Sequence, residues 1–83
     1  MICIRYFAWL REAVGVAHEE ITLPDDVRTV GQFRGWIGER HPALQSKLAE
    51  PGVRIALDRE FAAPDAQIGG AREIALLPPM TGG

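Results

Sequence analysis

The sequence predicts an α+β domain in which a mixed β-sheet carries one main helix on one face. Three observations point there. Segments that alternate apolar and polar residues with period two bracket one longer segment with helical periodicity. The order along the chain is two strands, the helix, then three strands, with a short helical turn after the first strand. Strand runs on both sides of a crossover helix favour parallel pairing of the first and last strands at the centre of the sheet. The 83 residues, 47% hydrophobic and 24% charged, suffice for one domain spanning residues 1–83 with a single core.

The first strand is read over residues 2–8, rich in branched and aromatic types. Its alternation sends Ile2, Ile4 and Tyr6 to the core and Cys3, Arg5 and Phe7 to the other face, because Arg5 needs water. Residues 9–14 hold good helix formers and end at Gly15, which fits a short helical turn. A second strand at about 17–23 turns Ile21 and Leu23 inward and Glu20 and Thr22 outward, and Pro24-Asp25-Asp26 stops it. Thr29-Val30-Gly31-Gln32 then matches a capping box, in which the Thr29 hydroxyl and the Gln32 amide satisfy free backbone N–H groups.

The helix that follows carries Val30, Phe33 and Ile37 as one apolar stripe, with Trp36 at its margin, and ends at Pro42. Gly31, Gly35 and Gly38 fall on the opposite side and each costs up to ~1 kcal/mol relative to alanine. Packing of the stripe, not intrinsic propensity, must therefore hold this helix. The glycine row itself reads as a solvated face, with a close-packed partner as the alternative. After an irregular stretch ending in Glu50-Pro51-Gly52, Val53, Ile55 and Leu57 alternate on one side of a third strand. Asp58-Arg59-Glu60 suits a tight turn into a short strand near residues 61–63, and residues 64–71 read as a loop. The last strand, 72–77, turns Ile74 and Leu76 inward and Ala75 and Leu77 outward.

Composition narrows the function. Nine basic against eleven acidic residues give a net charge of −2, so there is no domain-wide positive field for nucleic acid. Cys3 is the single cysteine, which excludes an internal disulfide and suits a reducing cytoplasm. One cysteine with the distant His18 and His41 makes no recognisable metal site. The longest apolar run, residues 74–80, is far shorter than a membrane span, and Arg5, Arg11 and Glu12 interrupt any signal-peptide core. The expectation is a cytoplasmic protein without a membrane partner. A domain this small has little room for a deep catalytic cavity.

The closing residues carry the chemistry. Pro78-Pro79-Met80-Thr81-Gly82-Gly83 follows the last strand. Two prolines fix φ and resist collapse onto the body, so a six-residue tail reaches up to ~20 Å. Glycines at the tip have no Cβ and enter a narrow channel in conformations other residues avoid. Such an arm suits delivery of the Gly83 carboxylate into another protein's active site. A free carboxylate is a poor electrophile; attack on the α-phosphate of ATP converts it to an acyl adenylate. A sulfur nucleophile then displaces AMP and leaves a thiocarboxylate. The protein is then a reactant, and its partners are the catalysts.

Phe7-Ala8-x-x-Arg11-Glu12-x-x-Gly15 together with Pro78-Pro79-x-Thr81-Gly82-Gly83 resembles the small subunit of molybdopterin synthase, a family of ubiquitin-like β-grasp sulfur carriers. The resemblance covers the whole chain, and the tail is its specific part. Two segments depart from the family pattern: Gly69-Gly70-Ala71-Arg72-Glu73 lacks the aspartates usual before the last strand, and Leu57-Asp58 stands where Val-Asn is common. The resemblance implies that an E1-like, ATP-using enzyme adenylates Gly83 and converts it to the thiocarboxylate. It implies further that the tail inserts into the synthase large subunit, which transfers sulfur to cyclic pyranopterin monophosphate. The chain itself would bind no cofactor. Three other readings stay open: a sulfur carrier of thiamin or cysteine synthesis, a protein modifier joined to lysines, and a non-reactive interaction module.

With the first and last strands as neighbours, Phe7, Ala75 and Leu77 form an exposed apolar spot at the root of the tail, rimmed by Arg5, Arg11 and Arg54. That spot is the candidate partner-binding surface. The alternative is simple cover by the local helix. Arg11-Glu12 reads equally as a partner contact or a solvated ion pair. Cys3 reads as a half-buried thiol, with a persulfide relay as the alternative. His18 is expected on a strand surface, and His41 at the helix C-terminus, where a cation is favourable.

Overall fold

The computed structural model describes residues 1–50 and 52–79. Strands β1 (Ile2–Tyr6), β2 (His18–Ile21), β3 (Arg54–Leu57), β4 (Glu60–Phe61) and β5 (Glu73–Leu77) form one sheet in the order β2-β1-β5-β3-β4. The central β1–β5 pair is parallel and every other pair is antiparallel. Helices α1 (Ala8–Val14), α2 (Val30–Arg40) and α3 (Gln45–Leu48), with a 3₁₀ turn at Pro42–Leu44, complete the described elements. This mixed sheet with one main helix is a β-grasp. No helix among the described residues is long and apolar enough to cross a membrane.

The core forms where the inner sheet face meets α2. Ile4, Tyr6, Ile55, Ile74 and Leu76 line the sheet side, and Val30, Phe33 and Ile37 press onto it from the helix. Each fully buried side chain of this size stabilises the fold by roughly 1.5–3 kcal/mol, which offsets the cost of three glycines in one eleven-residue helix. The Thr29 capping box is formed: its hydroxyl accepts from Gln32 N–H, and the Gln32 carboxamide oxygen accepts from Thr29 N–H. Gly15 closes α1 in the left-handed region at φ 96°.

Two expectations need correction. Residues 42–48 are not irregular, because the 3₁₀ turn and α3 bury Leu44 and Leu48 against α2 and the core. Elements of three and four residues are too short to display a period. The glycine row of α2 is not simply a solvated face either. A Cβ on Gly38 would lie 3.3 Å from Gln45 Cγ and 3.7 Å from Leu48 Cδ1, and one on Gly31 would lie 3.2 Å from the Pro64 carbonyl oxygen. Gly31 N–H donates to that same oxygen at 2.8 Å. Only Gly35 of the three faces open space.

A polar tie joins β1, β2 and the end of α2. Tyr6 donates its hydroxyl to Glu19 Oε1 at 2.6 Å, and His41, with Nε2 protonated, donates to the same oxygen at 2.6 Å. Arg40 Nε stands 3.5 Å away. Burial pushes the Tyr6 hydroxyl above its ordinary pKa, and the Glu19 hydrogen bond adds to this. Burial alone would also raise the Glu19 carboxyl, but the bonds from Tyr6, His41 and Arg40 outweigh it and hold it below the ordinary value. His41 therefore does more than sit at the negative end of a helix: it locks that end to the sheet.

Candidate functional site

The candidate site lies on the outer sheet face, opposite α2. Register builds it. Arg5, Ala75, Ala56 and Phe61 form one cross-strand row over β1, β5, β3 and β4. Two alanines in the middle of that row leave a hollow, because their neighbours are larger. Arg5, Phe7, Arg59, Phe61, Glu73 and Leu77 stand around it, enclosing about 380 Å³ of open concavity. Phe7 and Phe61 remain 42% and 57% exposed, which is unusual for phenylalanine.

Local structure aims these groups. At the end of β1, Phe7 N–H donates to Leu76 O and Ala8 takes φ 51°, so the chain breaks sharply into α1 with Phe7 as its N-cap. An alanine in this left-handed conformation is strained by about 1 kcal/mol. Asp58 and Arg59, at φ 48° and 73°, form the two-residue turn of the β3–β4 hairpin. Asp58 Oδ1 accepts from the backbone N–H groups of Arg72 and Glu73 at 2.9 and 3.0 Å. The hairpin is thereby tied to the start of β5, which places Arg59 and Phe61 beside Ala75.

The rim is basic. Arg5 Nε pairs with Glu73 Oε2 at 2.6 Å, and the Arg54 guanidinium lies 3.8 Å above the Phe61 ring centroid. Arg59 is a third cation at the edge. One carboxylate among three guanidinium groups leaves a positive collar around an apolar floor. Such a surface suits an apolar knob on a partner with acidic surroundings.

The sequence-predicted residues fall as follows. Phe7, Ala75 and Leu77 are brought together. Ala75, however, is buried at 6% and is the floor of the hollow, not an exposed spot. Arg11 lies exposed on α1 and is not part of the lining, whereas Arg59, Ala56 and Phe61 are. A signal for Phe61 was available: the outward residue of β3, Ala56, meets it once the turn is fixed at two residues. Pro78 and Pro79 are half-buried at the end of β5, one step from Leu77. Met80, Thr81, Gly82 and Gly83 lie outside the described residues. Cys3 is a half-buried thiol opposite Glu20 and Glu73, and His18 is exposed on β2.

Residues 4–83 match the model of the ThiS family. The chain is 33% identical over 84 residues to a molybdopterin synthase sulfur carrier subunit of Caenorhabditis elegans, covering 99% of this chain and 96% of that one. The crystal structure of SAMP1 from Haloferax volcanii superposes with a TM-score of 0.81 at 27% identity, covering 99% of this chain and 98% of that one. A crystal structure of the H. volcanii small archaeal modifier protein 1 gives a TM-score of 0.75 at 29% identity over 94% and 95% of the two chains.

Proposed function

Because the chain belongs to the ThiS family, we propose that it is the sulfur carrier subunit of a molybdopterin synthase, loaded at the carboxyl group of Gly83. The relative from C. elegans bears that name at 33% identity. The observation that carries the reading is the apolar hollow ending at Leu77, directly at the root of the Pro78-Pro79-Met80-Thr81-Gly82-Gly83 arm. Docking of a partner in the hollow fixes the root of the arm beside that partner, so the tip need search only a short radius. The effective concentration of the Gly83 carboxyl in the partner's active site rises accordingly.

Loading takes two steps, and transfer follows. A Gly83 carboxylate oxygen attacks the α-phosphorus of ATP, pyrophosphate leaves, and a glycyl adenylate forms on an E1-like activating enzyme. A sulfur nucleophile supplied there attacks the acyl carbon and AMP departs, leaving a thiocarboxylate. In the large subunit, that sulfur attacks a carbon of the cyclic pyranopterin monophosphate and displaces the oxygen substituent there. Water then cleaves the acyl–sulfur bond, leaving the sulfur on the pterin and Gly83 as a carboxylate again, and a second loaded chain supplies the second sulfur. The chain's own share is to bind, aim and present. No side chain at the hollow is a nucleophile, and the ATP is used by the activating partner.

Likeness to the small archaeal modifier protein favours a second reading, attachment of Gly83 to lysines on other proteins. One reconstitution separates the two. The chain is incubated with the activating enzyme, ATP and a sulfur donor, then with the large subunit and the pterin precursor. Formation of a dithiolene-bearing pterin, lost on deletion of Gly83, is the expected result. Isopeptide-linked ladders with no pterin product would establish the modifier instead.

A further inference from the structure

Leu77, the last residue of β5, faces Arg54, the first of β3. Continuing that antiparallel register by two residues on each side sets Pro79 across from Gly52. Neither Pro78 nor Pro79 has an N–H for the ladder, so strand pairing stops there. The two chains nonetheless stay in contact. A Cβ built on Gly52 would fall 2.7 Å from Pro79 Cβ and 3.5 Å from its Cγ, so the pyrrolidine ring rests on bare glycine backbone.

The loop under that ring is fixed from below. Gly52 takes φ 91°, and Val53 N–H donates to Glu50 O at 3.4 Å, closing a turn around it. One terminal nitrogen of Arg34 donates to both Leu48 O and Val53 O at 3.0 Å, tying the loop to α2 at its two ends. Two separate demands therefore meet at position 52. The backbone demands glycine for its positive φ, and the tail demands the absence of a Cβ. Asparagine would meet the first demand but not the second.

We propose that Gly52 is a positioning residue: its surface, braced by Arg34, is a seat for Pro79 that sets the direction in which the reactive arm leaves the domain. This inference rests on the reading of the chain as a carrier loaded at Gly83. The strand register brings the arm to the seat, the proline ring occupies it, and a rigid start to the arm reduces the orientations the tip must lose on entering a partner.

A double-mutant cycle in the full chain tests it, with Gly52→Ala, Pro79→Gly and the pair. Backbone strain from Gly52→Ala is the same whatever residue occupies position 79, whereas the clash with the ring vanishes once that ring is gone. Three quantities are read: the thermal midpoint, kcat/KM for sulfur loading by the activating enzyme, and the NOE between Gly52 Hα and the Pro79 ring protons. The wild-type chain should show the NOE. Each single change should lower loading about tenfold or more, and the double variant should be no slower than the slower single. The midpoint drop from Gly52→Ala should be smaller in the Pro79→Gly background. Loading losses that multiply, or a wild-type chain without the NOE, would overturn the seat. If Gly52→Ala does not fold, Pro79→Gly alone decides, and loading within about twofold of wild type overturns the proposal. A wild-type chain that is never loaded sinks the carrier reading instead, and the NOE with the midpoint cycle still decides the seat.

Discussion

Replacing Phe61 with alanine separates the docking role of the hollow from its part in folding. The ring is 57% exposed in the free chain, so a little over half of its apolar surface is available for burial by a partner. Full burial of a phenylalanine side chain stabilises by roughly 1.5–3 kcal/mol. The share open to docking is then about 0.9–1.7 kcal/mol, and losing it weakens association roughly 5- to 20-fold. The share already used in folding is about 0.6–1.3 kcal/mol, to which the Arg54 cation–π contact at 3.8 Å adds about 0.5–1 kcal/mol. A loss of 1 kcal/mol lowers the midpoint of a domain this size by about 4–8 °C, so Phe61→Ala stays folded at 25 °C. Calorimetric titration of the variant into the large subunit, beside a thermal melt followed by circular dichroism, reads both quantities. A lowered midpoint with unchanged affinity would refute the claim that this hollow is where the partner sits.

Other predictions concern the frame that holds the site. The Glu19 carboxyl is held below its ordinary value of 4.5, so its stabilising share is complete above that value and disappears as pH falls through the lower folded-state value. Glu19→Gln should therefore flatten the acid limb of the stability–pH curve; an unchanged limb would show that the Tyr6–Glu19–His41 tie contributes nothing. Ala8, at φ 51°, should gain about 1 kcal/mol on substitution by glycine, read as a midpoint raised by about 4–8 °C. A lowered midpoint would mean that the elbow after Phe7 is not left-handed.

Much of this frame was legible because local rules and tertiary needs agree. Thr29 and Gln32 cap α2 by a rule confined to four residues. The Val30/Phe33/Ile37 stripe and the inward sets of β1 and β5 follow from period alone. Parallel pairing of β1 with β5 follows from the crossover between them. What stayed hidden depends on register or on contact between distant segments. Ala56, Arg59 and Phe61 join Phe7 only because a two-residue turn sets Phe61 opposite Ala56, which no single-strand pattern reveals. Gly38 and Gly52 lie against Gln45 and Pro79, residues placed there by folding. Glu19 offered a usable hint: alternation with Ile21 turns it inward, where a carboxylate requires partners. Arg11 falls outside the lining of the hollow because a sheet-face argument does not extend past the sharp break at Ala8.

The central claim is that the working atom of this protein belongs to the carboxyl group of Gly83. Intact mass spectrometry of the chain after incubation with ATP, the activating enzyme and a sulfur donor tests it most directly. The account predicts a mass gain equal to the exchange of one oxygen for one sulfur, confined on digestion to the peptide that ends in Gly83. Sulfur found on Cys3 instead, or a chain of unchanged mass beside an activating enzyme that loads a control carrier, would contradict it.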